Sequence, residues 1–296
     1  MKLRQLGEDR LLDLILPKLN LTNGVVGGAG DDVALVQAPA SDQLLVLKTD
    51  CVVEQIHFDS RTAPEAIGWK AMMRPLSDFA AVSGLPRFAL VTLVLPKEKQ
   101  SSWVEKFYRG LNRAASRFQV GIVGGELSGT RGPVVISVSV SGVVEKNRWT
   151  GRHGGKAGDH LFVTGRLGGS RRGRHLHFLP RIHESRWLTE NFPIHAMMDL
   201  SDGLGADLPR LARASRVGFR LSAENLPLNP GATAENAISD GEDYELLFAL
   251  SARHSQHLQK RWRKKFSKLD LTHIGLLVPR SRTRILKLKG GYVHFK

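Results

Sequence analysis

The spacing of apolar residues sorts this chain into strands and helices before any single residue is considered. Leu11, Leu12, Ile15 and Leu16 share one face of a helix expected between Leu3 and Leu19. Val25 to Val36 reads as two strands around a glycine-rich turn, and Leu44 to Leu47 as a buried strand. A helix is expected from Pro64 to Gly84, with Pro64 in its first turn and Pro75 kinking it or splitting it in two. Phe88 to Leu95 is a strand, and Ser101 to Phe118 an amphipathic helix. Val120 to Val123 is a strand ending in Gly124-Gly125-Glu126. Pro133 to Val144 alternates Val and Ile with Ser, the period of a strand with one less apolar face. Beyond the glycine-rich, basic stretch from Lys146 to Gly158, strands are expected at Asp159 to Thr164, up to Met198, at Arg216 to Leu221 and after Glu245. Leu204, Leu208 and Leu211 mark a helix after Gly203. Leu258, Trp262, Phe266 and Leu269 line another, whose remaining face is Lys and Arg. The mixture predicts an α/β (α+β) protein of two domains, 1–147 and 148–296.

Acidic residues recur where the apolar segments stop. Asp31, Asp50, Asp78, Glu126, Asp199 and Asp202 each follow an apolar run or a helix turn, most with glycine or a small hydroxyl beside them. The densest stretch is Asp199-Leu200-Ser201-Asp202-Gly203-Leu204, at an expected strand-to-helix junction. Carboxylates this close repel unless a cation sits between them, and Mg²⁺ is a hard ion that takes oxygen ligands. Taken one at a time, Ser201 or Asp202 equally suits a helix cap, and Asp31-Asp32 a hairpin turn. Converging, they would make a carboxylate site for metal-bound phosphates. There is no Walker P-loop, no dinucleotide-binding glycine fingerprint and no kinase catalytic-loop motif.

Composition narrows the setting. With 296 residues, 42% of them hydrophobic, the chain can bury a real core. Its lone cysteine, Cys51, forms no internal disulfide and reads as a packed side chain, which suits a reducing cytoplasm. The longest apolar run, near Phe88 to Leu95, is too short to span a membrane. The net charge of +15 points to an anionic small substrate or to a polyanionic surface such as nucleic acid, and does not choose between them. The basic run Arg171 to His177 is equally open, as a solvated loop or a polyphosphate contact.

Six ordered motifs together carry a resemblance. They are Gly30-Asp31-Asp32-Val33-Ala34; Thr49-Asp50 with His57-Phe58; Leu76-Ser77-Asp78-Phe79-Ala80-Ala81; Gly124-Gly125-Glu126; Asp199 to Leu204; and Gly241-Glu242-Asp243-Tyr244-Glu245-Leu246. With the tail Gly291-Tyr292-Val293-His294-Phe295, the pattern resembles the thiamine-monophosphate kinases within the aminoimidazole ribonucleotide synthetase superfamily. The resemblance implies two α/β domains, a homodimer joined through its N-terminal sheets, and transfer of the γ-phosphoryl of ATP to thiamine monophosphate at a site holding several Mg²⁺ ions. It implies that Asp31, Thr49, Asp50, Asp78, Glu126, Asp199 and Asp202 hold metal, with Asp50, Asp78 and Asp202 central to the chemistry. Gly125, Glu126, Arg152, Ser201 and Tyr108 would meet the nucleotide, and His57, Glu242 and Tyr292 the substrate.

The chain departs from the family pattern in several places. Glu126 stands where the family has aspartate, followed by Leu127-Ser128 instead of two threonines. Pro75 replaces an asparagine, and Lys48 replaces a small hydroxyl residue beside Thr49-Asp50. Gly168 to Gly173 lacks the family's aspartate, and the segment after it is shortened. These changes leave a second expectation open, a member that keeps the fold and binds a nucleotide or another anion with altered or lost chemistry.

Overall fold

The computed structural model describes residues 3–6, 8–21, 23–28, 30–38, 41–280 and 290–292. Eleven strands and eight α-helices are defined among them. The strands are β1 (Val25–Gly27), β2 (Ala34–Gln37), β3 (Gln43–Val53), β4 (Leu85–Pro96), β5 (Gly121–Thr130), β6 (Val135–Glu145), β7 (Asp159–Thr164), β8 (Ile194–Asp199), β9 (Gly218–Leu221), β10 (Leu246–Ser251) and β11 (Leu271–Val278). The helices are α1 (Leu3–Leu6), α2 (Glu8–Ile15), α3 (Pro64–Ala81), α4 (Ser101–Arg117), α5 (Ile182–Asn191), α6 (Leu204–Ala214), α7 (Ala234–Ser239) and α8 (Ser255–Lys265).

Two sheets result. The first runs β1-β2-β3-β6-β4-β5 and is antiparallel except where β5 lies parallel to β4. The second runs β8-β10-β7-β11-β9 and is antiparallel throughout. In β6 the alternation sends Ile136, Val138 and Val140 into the core and Ser137, Ser139 and Ser141 to the other face, as the sequence period requires. Helix α3 sits between the sheets and packs on β3, β6, α4, α5 and β8. One apolar core continues across that seam, from Val46 and Phe79 in the first half to Phe162, Met197 and Phe248 in the second. Among the described residues no helix is long and apolar enough to cross a membrane.

Three expectations change. Pro75 does not split α3, which runs unbroken from Pro64 to Ala81. Most of that helix is buried, so packing on all sides holds it through the missing hydrogen bond. Asp50 and Glu126 do not end their strands. β3 continues to Val53, held by its ladder to β6, and β5 continues to Thr130, held by β4. The tail residues Val293, His294 and Phe295 lie outside the described residues.

Candidate active site

The carboxylates meet at the seam between the two sheets, and each arrives on a different element. β8 ends at Asp199, whose side chain is buried. Gly203 then adopts φ 96°, a conformation open to glycine, and α6 starts directly after it. The turn is fixed by Asp207, fully buried on α6, which accepts a hydrogen bond from the Asp202 N–H at 2.9 Å. Burial and the neighbouring Asp202 charge push the Asp207 pKa up to about 8, with Arg210 opposing. Arg210 also binds the Asp202 carboxylate.

Helix α3 contributes a polar stripe. Lys70, Arg74, Ser77 and Asp78 recur at i, i+4, i+7 and i+8, one face of an otherwise apolar helix. The Ser77 hydroxyl donates to Asp199 Oδ2 at 2.6 Å. Asp78 stands beside Asp199, and Asp32 completes a group whose carboxylate oxygens all lie within 4.8 Å of one another. All three residues are buried. Asp32 Oδ1 accepts from Arg152 Nε at 3.1 Å, while its Oδ2 is buried with no hydrogen-bond partner. Burial raises the Asp199 pKa to about 6, helped by the charge of Asp32 and opposed by Ser77, Lys48 and Arg152. Burial, with the charges of Asp199, Asp50 and Asp32, also lifts Asp78 well above the carboxylate range against the pull of Lys48. Three buried oxygen anions, one with an orphaned oxygen, fit a hard divalent cation.

β3 supplies Lys48 and Asp50 on one face and Thr49 on the other. Lys48 Nζ lies 2.9 Å from Asp78 Oδ1. Burial works against the Lys48 ammonium, but Asp78, Asp50 and Asp32 outweigh it and hold its pKa above the ordinary range. Asp50 is gripped by Arg74, through Nε to Oδ2 at 3.2 Å and Nη2 to Oδ1 at 3.1 Å. Burial of Asp50 opposes ionisation, yet Arg74 and Lys48 leave its pKa below normal. The Thr49 hydroxyl points to the outer face of the sheet, where it meets Ser137 at 3.2 Å and Ser139 at 3.0 Å. Asp31 binds the Arg152 N–H at 3.3 Å and lies 3.5 Å from His153 Nδ1.

Next to this group is a narrow cleft of about 50 Å³ lined by His57, Arg74, Arg171, Ser201, Asp202, Glu242, Tyr244 and Tyr292 among others. All three residues expected to meet the substrate are therefore in one cavity. Glu242 is paired with the buried Lys70 at 2.5 Å, and the Arg171 guanidinium lies 5.7 Å from the Tyr292 ring centre. His57 Nδ1 accepts from the Val53 N–H at 3.0 Å, which requires that nitrogen unprotonated. Burial, with Arg74 and Lys70 nearby, depresses the His57 pKa to about 4. Gly125, Glu126 and Tyr108 do not line this cleft. Gly125 has a reason within the sheet, because a Cβ there would lie 1.8 Å from the Val91 carbonyl oxygen. Glu126 is exposed on the edge strand β5, and Tyr108 packs edge-on against Phe107 on α4 at 5.5 Å.

Sequence reasoning missed Asp32, Lys70 and Arg74. The helical spacing of Lys70, Arg74 and Asp78 was the available signal for two of them. Asp32 gave none beyond its neighbour, since either aspartate of the pair could have turned inward.

The family described as AIR synthase related protein, N-terminal domain, matches residues 30–144. Its C-terminal domain matches residues 137–285. A thiamine-monophosphate kinase of Rhodopirellula baltica is 38% identical, over 87% of this chain and 85% of its own. That of Aquifex aeolicus is 37% identical, over 93% of this chain and 92% of its own. A solved structure of AaThiL complexed with AMPPCP and TMP aligns with TM-score 0.85 and 34% identity, covering 99% of both chains.

Proposed function

We infer the reaction from one premise: this chain belongs to the thiamine-monophosphate kinase family. It is a phosphotransferase that uses ATP to phosphorylate thiamine monophosphate, giving thiamine diphosphate. The observation that carries the site assignment is the buried Asp32–Asp78–Asp199 group beside the His57–Glu242–Tyr292 cleft.

The acceptor is a phosphate oxygen, already ionised at neutral pH, so no general base is needed. The difficulty is to bring two polyanions together in line. Mg²⁺ held by Asp32, Asp78 and Asp199 would neutralise charge on the transferred phosphoryl group. Arg171 and Arg74 put positive charge on the cleft wall where the acceptor phosphate arrives. The thiazolium ring is a cation, and the rings of Tyr292 and Tyr244 suit it. Lys70 neutralises Glu242, so this carboxylate orients the cleft more than it attracts the ring. Asp202, held by Arg210 and Asp207, keeps the Ser201 turn in place for the nucleotide. The nucleotide contacts of Gly125, Glu126, Arg152 and Tyr108, and metal contacts of Asp31, Thr49, Asp50 and Glu126, rest on the motif resemblance. The excess of Lys and Arg, 43 against 28 acidic residues, serves these anionic substrates better than it requires nucleic acid. Use of ATP and a single cysteine support a cytoplasmic setting. The N-terminal half, 1–147, would hold the nucleotide and dimer contacts, and 148–296 would complete the site.

The test is an incubation of the purified chain with ATP, Mg²⁺ and thiamine monophosphate, with thiamine diphosphate measured by chromatography. Product that requires all three additions is expected. No product, with ATP binding intact by calorimetry, would overturn the kinase assignment in favour of an altered, nucleotide-binding member.

The outer face of the first sheet is the surface for a second copy of the chain. Leu45, Leu47, Phe88, Leu90 and Val123 are all exposed there, Val123 at 61%. An apolar patch of that kind is what a sheet-to-sheet dimer buries. Sedimentation equilibrium at micromolar protein is expected to give a dimer that Leu90→Lys weakens at least about tenfold. A wild-type monomer would rule this surface out as the dimer contact.

A further inference from the structure

The four carboxylates around the metal group are not all left for metal. Asp32 is bound by Arg152, Asp50 by Arg74 and Asp78 by Lys48. Among the described residues, the side-chain hydrogen bond to the Asp199 carboxylate comes from a neutral donor, the Ser77 hydroxyl. With every carboxyl ionised, as a bound cation would require, four anions face three fixed cations, one short of balance. A second divalent ion would leave the group strongly positive before any substrate arrives, while a single one leaves a small positive excess suited to a polyanion. Lys48 is central to this balance. It comes from the middle of β3, on the same face as Asp50, and its ammonium reaches across to α3.

We propose that Lys48 is a resident counter-cation that takes the place of one divalent ion beside Asp78, so that the nucleotide-free enzyme binds a single ion, at Asp32, Asp78 and Asp199. Arg74 completes the arrangement by occupying both oxygens of Asp50. Further ions then enter only with the phosphates of the nucleotide, which bring their own oxygen ligands. The inference rests on the assignment of a divalent ion to the carboxylate group.

Ion binding rather than turnover tests it. Mn²⁺ is titrated into the nucleotide-free full chain, and the free ion is followed by electron paramagnetic resonance. Wild type and Lys48→Arg, which keeps the charge, are expected to bind a single ion per chain. Lys48→Ser, which removes the charge, is expected to bind a second, and to bind its first about tenfold more tightly. The melting temperature gives a second reading. Lys48→Ser should be destabilised in EDTA and recover with Mn²⁺ by more than wild type does. Equal stoichiometry and affinity in wild type and Lys48→Ser would overturn the role of Lys48 and leave the metal assignment standing. Absence of Mn²⁺ binding in every form would overturn both. Should Lys48→Ser fail to fold, wild type alone decides, because two or more ions bound without nucleotide would refute the proposal.

Discussion

An Asp199→Asn enzyme will be more heat-stable than wild type in the absence of metal and nearly inactive in its presence. The two effects have one origin. Asp199 is buried, and its pKa is pushed to about 6 first by that burial and then by the charge of Asp32. A carboxyl group whose folded pKa lies above its unfolded value of 3.8 costs stability when ionised. Below the unfolded value both states hold the proton, and nothing is lost. As pH rises to about 6, the unfolded chain gives up its proton first and stability falls; above that the penalty is constant, about 3 kcal/mol. Asparagine keeps the acceptor for the Ser77 hydroxyl and removes the charge. The variant should therefore melt several degrees higher than wild type at pH 7.5 in EDTA, with the difference vanishing near pH 4. The same charge is what would hold a cation against the transferred phosphoryl group, so its removal should lower kcat by about 10²- to 10³-fold. Differential scanning fluorimetry across pH, beside the chromatographic assay, reads both. A lower melting temperature at pH 7.5 in EDTA would show that the site is not under electrostatic strain.

Gly110→Ala carries the largest expected effect on folding. Helices α3 and α4 touch backbone to backbone, at Gly68 against Phe107 and at Gly110 against Glu65. A Cβ on Gly110 would lie 1.9 Å from the Glu65 carbonyl oxygen, and one on Gly68 would lie 2.1 Å from that of Phe107. Alanine is the better helix former by about 1 kcal/mol, but here it would drive apart two helices whose backbones cannot yield. A loss of about 3 kcal/mol or more is expected, against a total margin of roughly 5–15 kcal/mol for a domain. Activity should fall with it, because α3 carries Lys70, Arg74, Ser77 and Asp78 into the site. Gly129→Ala is the control: a Cβ there meets nothing within 4 Å, so stability should not change. Urea unfolding of the two variants makes the comparison. Equal midpoints for Gly110→Ala and wild type would mean that the helices have room to separate.

Local pattern was enough to find most of the frame. The helix start at Pro64, the amphipathic helix α4 and the alternation in β6 hold as read, because each depends on contacts within a few residues. Strand ends were misplaced at Asp50 and Glu126 for the converse reason. A charged residue breaks an apolar run in the sequence, but it does not break a ladder whose partner strand continues beside it. Pro75 was overweighted in the same way, its local cost being outvoted by the packing around α3.

By itself, the sequence determined that acidic motifs recur in the order of a known kinase family, because motif and order are properties of the chain. Only the tertiary structure decided what each acid faces. Asp32 meets Arg152, Lys48 meets Asp78, and Ser77 meets Asp199, pairs drawn together from distant parts of the chain. A strand's period places Lys48 and Asp50 on one face and Thr49 on the other, but it does not say which face closes over the site. That choice belongs to the segments packed against β3, and with it the division of four buried carboxylates between the protein's own cations and those the enzyme must bind.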